Sequence, residues 1–322
     1  MEGKDLRIVF MGTPEFAVET LKALVENGYQ VVGVVTAPDR PSGRGQKLHQ
    51  SEVKIYAESC GLPVLQPEKL KDENFLQELK LLNADLQIIV AFRMLPEVVW
   101  KMPSFGTFNL HGSLLPRYRG AAPLNWSIIN GDTETGVTTF LLKQEIDTGN
   151  ILFQEKIQIY HEMTVGELHD SLMSIGAKLV LKTVDAIAEG NYQLLPQDAL
   201  AIDPVRLHAP KIYKETCKID WQKPCDTINN LVRGLSPYPA AWTNFTRRGS
   251  ETALKIFKTS VEIIEHQDNS GKIVTDNKKF LKIACANGYL HLLDLQISGK
   301  KRMGIAEFLR GFQNAAEYFA GE

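Results

Sequence analysis

The sequence predicts an α/β fold with two domains: a Rossmann-like, mainly parallel sheet with helices on both faces, then a smaller antiparallel, OB-like β-barrel. The first observation is length, because 322 residues exceed the roughly 250–300 at which a single core stops growing. The second is the alternation of strand-like and helix-like patterns in the first half, which is typical of parallel sheets. The third is a series of short apolar segments with turn signals after residue 210, which favours a barrel. We place the first domain at 1–190, a linker at 191–210 and the second domain at 211–322.

The elements of the first domain follow from the spacing of apolar residues. An apolar run at 6–11 stops at Gly12, and helical spacing then continues from Phe16 until Asn27 and Gly28. The further predicted strands are 29–35, 62–65, 86–91, 105–111 and 137–141, and the helices are 16–26, 53–59, 74–82 and one or two helices within 164–187. Because ligands of parallel sheets bind beyond the carboxyl ends of the strands, the residues after each strand are the candidates for a site.

The linker and the second domain differ from the first domain in the pattern of their residues. Three prolines and few periodic positions in residues 191–210 indicate a linker. Beyond it we predict a helix at 225–235, strands at 253–264, 279–284 and 289–297, and a closing helix at 305–319. Asn287-Gly288 lies between two of these strands and is a strong hairpin signal.

The charge of the chain is informative only through its distribution. The formal net charge of −2 argues, for the whole chain, against a nucleic-acid partner. Residues 206–322 nevertheless hold 18 Lys and Arg against 12 Asp and Glu, a net of +6, whereas residues 1–205 carry −8. A basic second domain favours a partner rich in phosphate, although a solvated basic face is the alternative.

Composition and cysteine usage restrict the class of protein and its compartment. With 44% hydrophobic and 23% charged residues, the chain is of the ordinary globular kind, which excludes wholesale disorder. The N-terminus has no signal-peptide pattern, and the apolar run at 86–92 is too short to span a bilayer. The four cysteines form neither a CxxC pair nor a zinc spacing, so we expect reduced thiols and no metal. Together with the N-terminus and the short apolar runs, the reduced thiols predict a cytoplasmic protein without membrane association.

The strongest candidates for chemistry lie at the end of the strand at 105–111. Asn109 and His111 are two residues apart, so their side chains project from one face of the strand. Both can donate hydrogen bonds to a developing oxyanion, and the histidine can also exchange a proton. Asp147 follows the next predicted strand and could orient His111, although a plain Asx turn is the alternative. Because the motifs Asn109-Leu110-His111 and Asp147-Thr148-Gly149 contain no Ser or Cys, direct attack by a substrate amine is favoured over an acyl-enzyme.

These residues stand in motifs that resemble the signature of the folate-dependent formyltransferases. The matching motifs are Asn109-Leu110-His111, Ser113 to Pro116, Arg119-Gly120, Pro123 and Asp147-Thr148-Gly149. Three further segments, 10–17, 38–47 and 237–242, resemble the branch of that family whose amine acceptor is methionyl-tRNA. The resemblance extends over nearly the whole chain.

The resemblance implies a role for each matching position. Asn109, His111 and Asp147 match the family's catalytic trio. The folate-binding positions are Ser113, Leu114, Leu115 and Pro116, the methionyl pocket includes Phe16, and the tRNA-binding positions are Arg40, Arg44, Lys47 and Lys211. The implied reaction takes the formyl group of 10-formyltetrahydrofolate to the α-amine of initiator methionyl-tRNA, with no metal and no obligate protein partner. A catalytic domain would then occupy 1–190 and a tRNA-binding barrel 211–322.

The basic loop at 38–47 can also be interpreted from its residues alone, without the resemblance. Arg40, Arg44 and Lys47 are interleaved with small or rigid residues, which is typical of a loop that orders on phosphate. A solvated surface loop is the alternative. The loop therefore supports a nucleic-acid substrate without requiring one.

One departure from the family pattern and two alternatives stay open at this point. The family commonly has a glycine after the aromatic residue that ends the strand near 92, whereas Arg93 follows Phe92 here and the segment is one residue shorter. Contacts to the pterin ring therefore do not carry over position by position. The alternatives are a formyltransferase acting on a sugar nucleotide or another small amine such as glycinamide ribonucleotide, and a non-catalytic RNA-binding module.

Overall fold

A computed structural model describes residues 1–42, 47–200 and 207–321 of the chain. These residues form two compact units. The first comprises Met1–Pro123, Thr135–Ile157 and His169–Ala209, and the second comprises Leu124–Glu134, Gln158–Leu168 and Pro210–Glu322. The second unit therefore includes two short segments that precede residue 169.

The first 209 residues alternate strands and helices. The strands are β1 (Ile8–Gly12), β2 (Val31–Val35), β3 (Arg40–Ser42), β4 (Lys47–His49), β5 (Val64–Leu65), β6 (Leu86–Val90), β7 (Thr107–His111), β8 (Arg119–Gly120), β9 (Glu134–Leu141), β10 (Ile151–Gln158) and β11 (His208–Ala209). The helices are α1 (Glu15–Glu26), α2 (Glu52–Ser59), α3 (Glu73–Leu81), α4 (Glu97–Trp100), α5 (Pro123–Ile129) and α6 (Val165–Glu189). The segment 164–187 thus forms one continuous helix rather than two.

The main sheet has the strand order β10-β9-β7-β6-β1-β2-β5. Five neighbouring strands run parallel to one another, namely β7, β6, β1, β2 and β5, and β9 pairs antiparallel with β7. This arrangement confirms the predicted Rossmann-like, mainly parallel sheet. The carboxyl ends of β1, β2, β6 and β7 consequently lie at one edge, where such sheets bind ligands.

Helices cover both faces of this sheet. On one face, Val9 and Met11 of β1 belong to a core that includes Phe75 and Leu79 of α3. On the other face, Gly176 of α6 lies against Leu110 of β7, where an added Cβ would come within 2.8 Å of a Leu110 methyl group. The strands read as unbroken apolar runs because both of their faces are buried.

Local capping explains why the helices begin close to their predicted positions. The hydroxyl of Ser51 accepts a hydrogen bond from the backbone N–H of Lys54 at the start of α2. The carboxylate of Asp72 accepts from Asn74 and Phe75 at the start of α3. Such caps satisfy backbone donors that the first helical turn leaves without partners.

The second unit contains an antiparallel sheet that curls into a barrel. Its strands are β12 (Ala241–Arg247), β13 (Ser250–Ile263), β14 (Ile273–Thr275), β15 (Leu281–Cys285), β16 (Gly288–Ile297), β17 (Met303–Gly304) and β18 (Phe319–Ala320), and its longer helices are α7 (Cys225–Leu235) and α8 (Ile305–Gly311). The strand order is β14-β15-β16-β13-β12-β18, and a bridge between Lys272 and Phe319 joins the two ends. The predicted barrel is confirmed, and β15 and β16 form the hairpin that Asn287-Gly288 indicated.

The prediction of a closing helix at 305–319 is wrong at its C-terminal end. Helix α8 ends at Gly311, and Asn314 has a left-handed backbone with φ 56°. Phe319 and Ala320 instead form β18 beside β12, and the N–H of Ala320 donates to the carbonyl of Gly271. The unpaired edge of the barrel needs a partner, and this non-local pairing overrides the local helical pattern.

The segment 191–210 carries structure of its own where it is described. Gln197–Ala199 forms a 3₁₀ turn, and Leu195 makes an antiparallel bridge to Ile151. His208 and Ala209 of β11 pair in parallel with β8. Within the described residues, no helix is long and apolar enough to cross a membrane.

Candidate active site

Asn109 and His111 lie at the carboxyl end of β7, on the face of the sheet that also carries Met11 and Ile89. The register places Asn109 beside Ile89 of β6 and His111 beside Thr138 of β9. His111 is buried and Asn109 is half-buried. Among the described residues, the side-chain oxygen of Asn109 is buried and has no hydrogen-bond partner. Buried polar atoms without a partner are rare in folded proteins, and a catalytic or binding role is one explanation of such an atom.

The hydrogen bonds of His111 determine which ring nitrogen is available. Its Nε2 lies 2.8 Å from the carbonyl oxygen of Tyr118, and a carbonyl can only accept. Nε2 therefore carries a proton, which leaves Nδ1 as the nitrogen that can gain or lose one. Nδ1 lies 3.8 Å from Oδ2 of Asp147, and the ring meets Phe140 edge-on.

Asp147 is held in a tight turn beyond β9. Its backbone is left-handed with φ 54°, and its Oδ2 accepts a hydrogen bond of 2.8 Å from the N–H of Gly120. Gly149 completes the turn, where an added Cβ would lie 1.6 Å from the carbonyl oxygen of Leu141. Only glycine fits this close approach. The structure thus places the Asp147 carboxylate beside Nδ1 of His111.

The predicted folate-binding segment from Ser113 to Pro116 follows directly after β7. Thr138 of β9 donates to the carbonyl of Ser113 at 2.6 Å and accepts from the N–H of Leu115 at 3.1 Å. The amide of Gln154 donates to the carbonyl of Leu115 at 2.9 Å. Leu114 is half-buried, whereas the other three residues are buried. The shape of this segment therefore depends on β9 and β10.

Phe16, the predicted methionyl-pocket residue, lies in the first turn of α1, beyond the carboxyl end of β1. It is 8% exposed, and its ring centroid is 5.3 Å from that of His169. The position is at the ligand-binding edge of the sheet. Its apolar ring is suited to contact an apolar side chain.

The predicted basic loop begins and ends as an antiparallel pair of strands, β3 and β4. Arg40 is exposed, and its backbone pairs with that of His49. Asp39 accepts hydrogen bonds from Lys54 at 2.5 Å and Gln66 at 2.7 Å, and these bonds hold the pKa of Asp39 below its usual range. The base of the loop is therefore attached to α2 and to the residue after β5.

The other predicted tRNA-binding positions are described to different extents. Arg44 lies in residues 43–46, outside the described residues. Lys47 is described through its backbone, as the first residue of β4. Lys211 belongs to the second unit, is exposed, and its Nζ lies 5.8 Å from the centre of the Tyr213 ring.

Some contacts that build the site escape sequence reasoning. Tyr118 and Gly120 act through backbone groups, so their residue types carry no signal beyond the Arg119-Gly120 motif.

Arg93, the departure from the family pattern, donates to the carbonyls of Pro67 and Glu68. Burial lowers its pKa. The loop after β6 is therefore attached to the loop after β5.

A metal centre is not part of the described site. In residues 1–42, 47–200 and 207–321, no group of three or more His, Cys, Asp or Glu side chains could hold a metal ion. The polar groups at the sheet edge are an amide, an imidazole and a carboxylate. Such a set can bind an oxyanion and move protons.

Comparison with known proteins follows the same division of the chain. The profile described as formyl transferase matches residues 6–184, and the formyl transferase C-terminal domain matches residues 211–313. A methionyl-tRNA formyltransferase from Parabacteroides distasonis is 58% identical over 324 residues, with 100% of both chains covered. One from Bacteroides thetaiotaomicron is 54% identical over 319 residues, with 99% of both chains covered.

Solved structures share the fold at low sequence identity. An N-formyltransferase from Helicobacter canadensis, in complex with folinic acid and dTDP-3-aminofucose, has a TM-score of 0.63 and 19% identity, covering 92% of this chain and 100% of its own. HypX from Aquifex aeolicus, in complex with tetrahydrofolic acid, has a TM-score of 0.62 and 18% identity, covering 96% of this chain and 48% of its own. Taken with the two matching profiles and the full-length relatives, the described architecture shows that this chain belongs to the formyl transferase family.

Proposed function

We propose that this chain transfers the formyl group of 10-formyltetrahydrofolate to the α-amino group of initiator methionyl-tRNA. The observation that carries the proposal is the pairing of Nδ1 of His111 with the Asp147 carboxylate, 3.8 Å apart, beyond a strand that also presents Asn109. Relatives named methionyl-tRNA formyltransferase are 51–58% identical over nearly the full chain, which supports the acceptor.

The proposed reaction is a direct acyl transfer. The neutral amine of the methionyl group attacks the formyl carbon, and the carbonyl electron pair moves onto oxygen. When the carbonyl re-forms, the bond between carbon and N10 of the folate breaks. The amine loses one proton and N10 gains one, so the products are N-formylmethionyl-tRNA and tetrahydrofolate.

Asn109 and His111 stabilise the oxyanion in this proposal. The amide N–H of Asn109 is one donor, and Nδ1–H of the charged imidazole is the other, because Nε2–H is engaged by Tyr118. Loss of one oxyanion donor typically costs about 3–4 kcal/mol of transition-state stabilisation. Asp147 balances the charge on the imidazole and helps to move the proton from the amine to N10, a role worth about 100- to 10,000-fold in rate.

The remaining site residues provide binding. The segment from Ser113 to Pro116 lines the folate pocket, and Phe16 contacts the methionyl side chain. The tRNA-binding residues in this proposal are Arg40, Arg44, Lys47 and Lys211. Residues 1–190 supply catalysis, 191–210 link the domains, and the barrel at 211–322 binds tRNA in the cytoplasm, where the charged tRNA is made and used.

Folate as the formyl donor has separate support. The unpartnered oxygen of Asn109 at the sheet edge suits a polar ligand, and solved structures of the same fold are described with folinic acid or tetrahydrofolic acid. The proposed mechanism uses no metal, because Asn109, His111 and Asp147 carry every step. It also uses no further protein partner.

A sugar nucleotide as the acceptor has less support. The sugar formyltransferases match this chain at 19–20% identity, which shows a shared fold only. The relatives above 50% identity carry the other acceptor in their names and cover nearly the whole chain. The acceptor is therefore assigned by sequence similarity over both domains.

The test is a formylation assay with 10-formyltetrahydrofolate and charged tRNA. We expect initiator methionyl-tRNA to be converted to N-formylmethionyl-tRNA with release of one tetrahydrofolate, and elongator methionyl-tRNA to react far more slowly. A parallel reaction contains a dTDP-amino sugar in place of tRNA. Formylation of the sugar without formylation of tRNA would contradict the proposal.

A further inference from the structure

Gln197 lies outside every motif that points to the site, yet its side chain contacts the turn that carries Asp147. It is 3% exposed. Its Oε1 accepts from Nε and Nη2 of Arg119, at 3.0 and 2.7 Å. Its Nε2 donates to the carbonyl oxygens of Asp147 and Gly149, each at 2.8 Å. Both ends of this buried amide are therefore fully used.

The two carbonyls that Gln197 binds belong to a backbone that needs support. Asp147 has a left-handed φ of 54°, a conformation that residues with a Cβ rarely adopt. Residues in such conformations persist when the surrounding structure holds them. The two hydrogen bonds from Gln197 bracket the turn from Asp147 to Gly149 and hold it in place.

The opposite end of Gln197 reaches the segment that contacts both His111 and Asp147. Arg119 lies between Tyr118, whose carbonyl accepts from His111, and Gly120, whose N–H donates to Asp147. One side chain thus joins the Asp147 turn to the segment that orients the imidazole.

We propose that Gln197 is a positioning residue for the reaction: it sets the place of the Asp147 carboxylate relative to Nδ1 of His111, without touching substrate. This inference rests on the proposed function. The site requires one acceptor facing Arg119 and one amide donor facing two carbonyls. Glutamine supplies both, whereas glutamate would retain the acceptor and direct a second oxygen at the carbonyls.

Two substitutions separate these contributions. Gln197→Met removes both the acceptor oxygen and the donor NH2 group while the side-chain volume stays similar. Gln197→Glu keeps the oxygen that faces Arg119 but removes the donor. Gln87→Met is the matched control, because Gln87 is 1% exposed in β6 and accepts from Thr107 at the opposite end of the sheet. All three variants replace a buried amide in the first unit.

The experiment measures kcat and KM for both substrates and the melting temperature of each variant. Misplacement by about 1 Å can cost about 100-fold in rate, so we expect both Gln197 variants to lose about 10- to 100-fold in kcat. We expect KM for tRNA and folate to stay within about twofold, since no binding group is removed. Gln87→Met should retain kcat while its melting temperature falls similarly. Equal kcat in Gln197→Met and Gln87→Met, or a change confined to KM for tRNA, would overturn the inference.

A double-mutant cycle with Asp147→Asn, measured in single turnovers, asks whether Gln197 acts through Asp147. In that background we expect Gln197→Met to cost less than about twofold more, because residues acting as a unit are not additive. If the loss of rate in the double variant equals the product of the losses in the two single variants, Gln197 acts independently of Asp147 and the inference is refuted.

A second variant keeps the test decisive where Gln197→Met fails to fold. Arg119→Lys retains the charge but offers a single donor to Gln197. We therefore expect kcat to fall at constant KM, by less than in Gln197→Met. Wild type is assayed in every series. Absence of formylation by wild type would refute the proposed function, whereas active wild type with unaffected Gln197 and Arg119 variants would refute only the positioning role.

Discussion

The sheet edge of the first unit and the surface of the C-terminal barrel hold their polar side chains in opposite ways. At the sheet edge, the side chains of His111 and Asp147 are 7% and 14% exposed, and each bonds to a backbone group. On the barrel, the side chains of Lys258, Lys272 and Arg302 are 58%, 53% and 45% exposed. Exposed ion pairs of that kind contribute only about 0–1 kcal/mol each.

Under the proposed function, this difference corresponds to two kinds of recognition in one chain. Buried groups with satisfied hydrogen bonds hold reacting atoms at set positions, so a change in one residue has a large effect. Exposed cations act through their summed field on a polyanion, so each residue contributes little and salt weakens all of them. Predictions that follow from this contrast differ in size and in the kinetic constant affected.

The largest effect is expected at the trio. His111→Ala and Asp147→Asn should lower kcat by about 100- to 10,000-fold, because they remove an oxyanion donor and a proton-transfer partner. Binding of tRNA should change little. Single-turnover formylation and filter binding measure these quantities, with His161→Ala as the control because His161 is exposed. A His111→Ala enzyme with the wild-type rate would contradict the assigned role.

An intermediate effect is expected at Thr138, which supports the predicted folate segment. Thr138→Val removes the hydroxyl that binds Ser113 and Leu115, leaving buried backbone groups without a partner, at a cost of about 1–3 kcal/mol in stability. We expect KM for 10-formyltetrahydrofolate to rise about tenfold, as a loss of roughly 1.4 kcal/mol of binding would give.

The neighbouring residue provides the control for Thr138. Thr139 is equally buried and hydrogen-bonds Thr183 of α6 instead. Thr139→Val should lower the denaturation midpoint by a similar amount and leave KM for folate unchanged. Equal KM values for the two variants would show that the segment from Ser113 to Pro116 does not depend on Thr138.

The smallest effect is expected on the barrel surface. Reversing the charge of the exposed Lys300 and Lys301 to Glu should raise KM for tRNA several-fold at low salt and leave kcat unchanged. The slope of log KM against log salt should fall by about 1–2, since each lost phosphate contact removes about 0.7–0.9. Lys4→Glu with Lys80→Glu, on the first unit, changes net charge equally and serves as the control. A similar rise in KM in both pairs would indicate a general charge effect.

Most elements could be predicted from sequence because their signals are local. Helix α7 occupies the predicted range of 225–235, and β6 and β16 differ from prediction by one residue at an end. Asn109, His111 and Asp147 could be singled out because the first two lie at the end of a strand, the third follows a strand, and all three stand in distinctive motifs. The end of α8 could not, because Phe319 and Ala320 pair with β12 and the residue before β14, both far away in sequence.

Periodicity and short motifs were enough to specify an α/β domain, a basic barrel and a trio of polar residues, because apolar spacing and capping act over a few residues. Only the tertiary structure decided which nitrogen of His111 is available, since that depends on the Tyr118 carbonyl. The same holds for the support of Asp147, because Gln197 lies 50 residues away in sequence. Hydrogen bonds between distant segments leave no local pattern, and they set the geometry on which the proposed transfer depends.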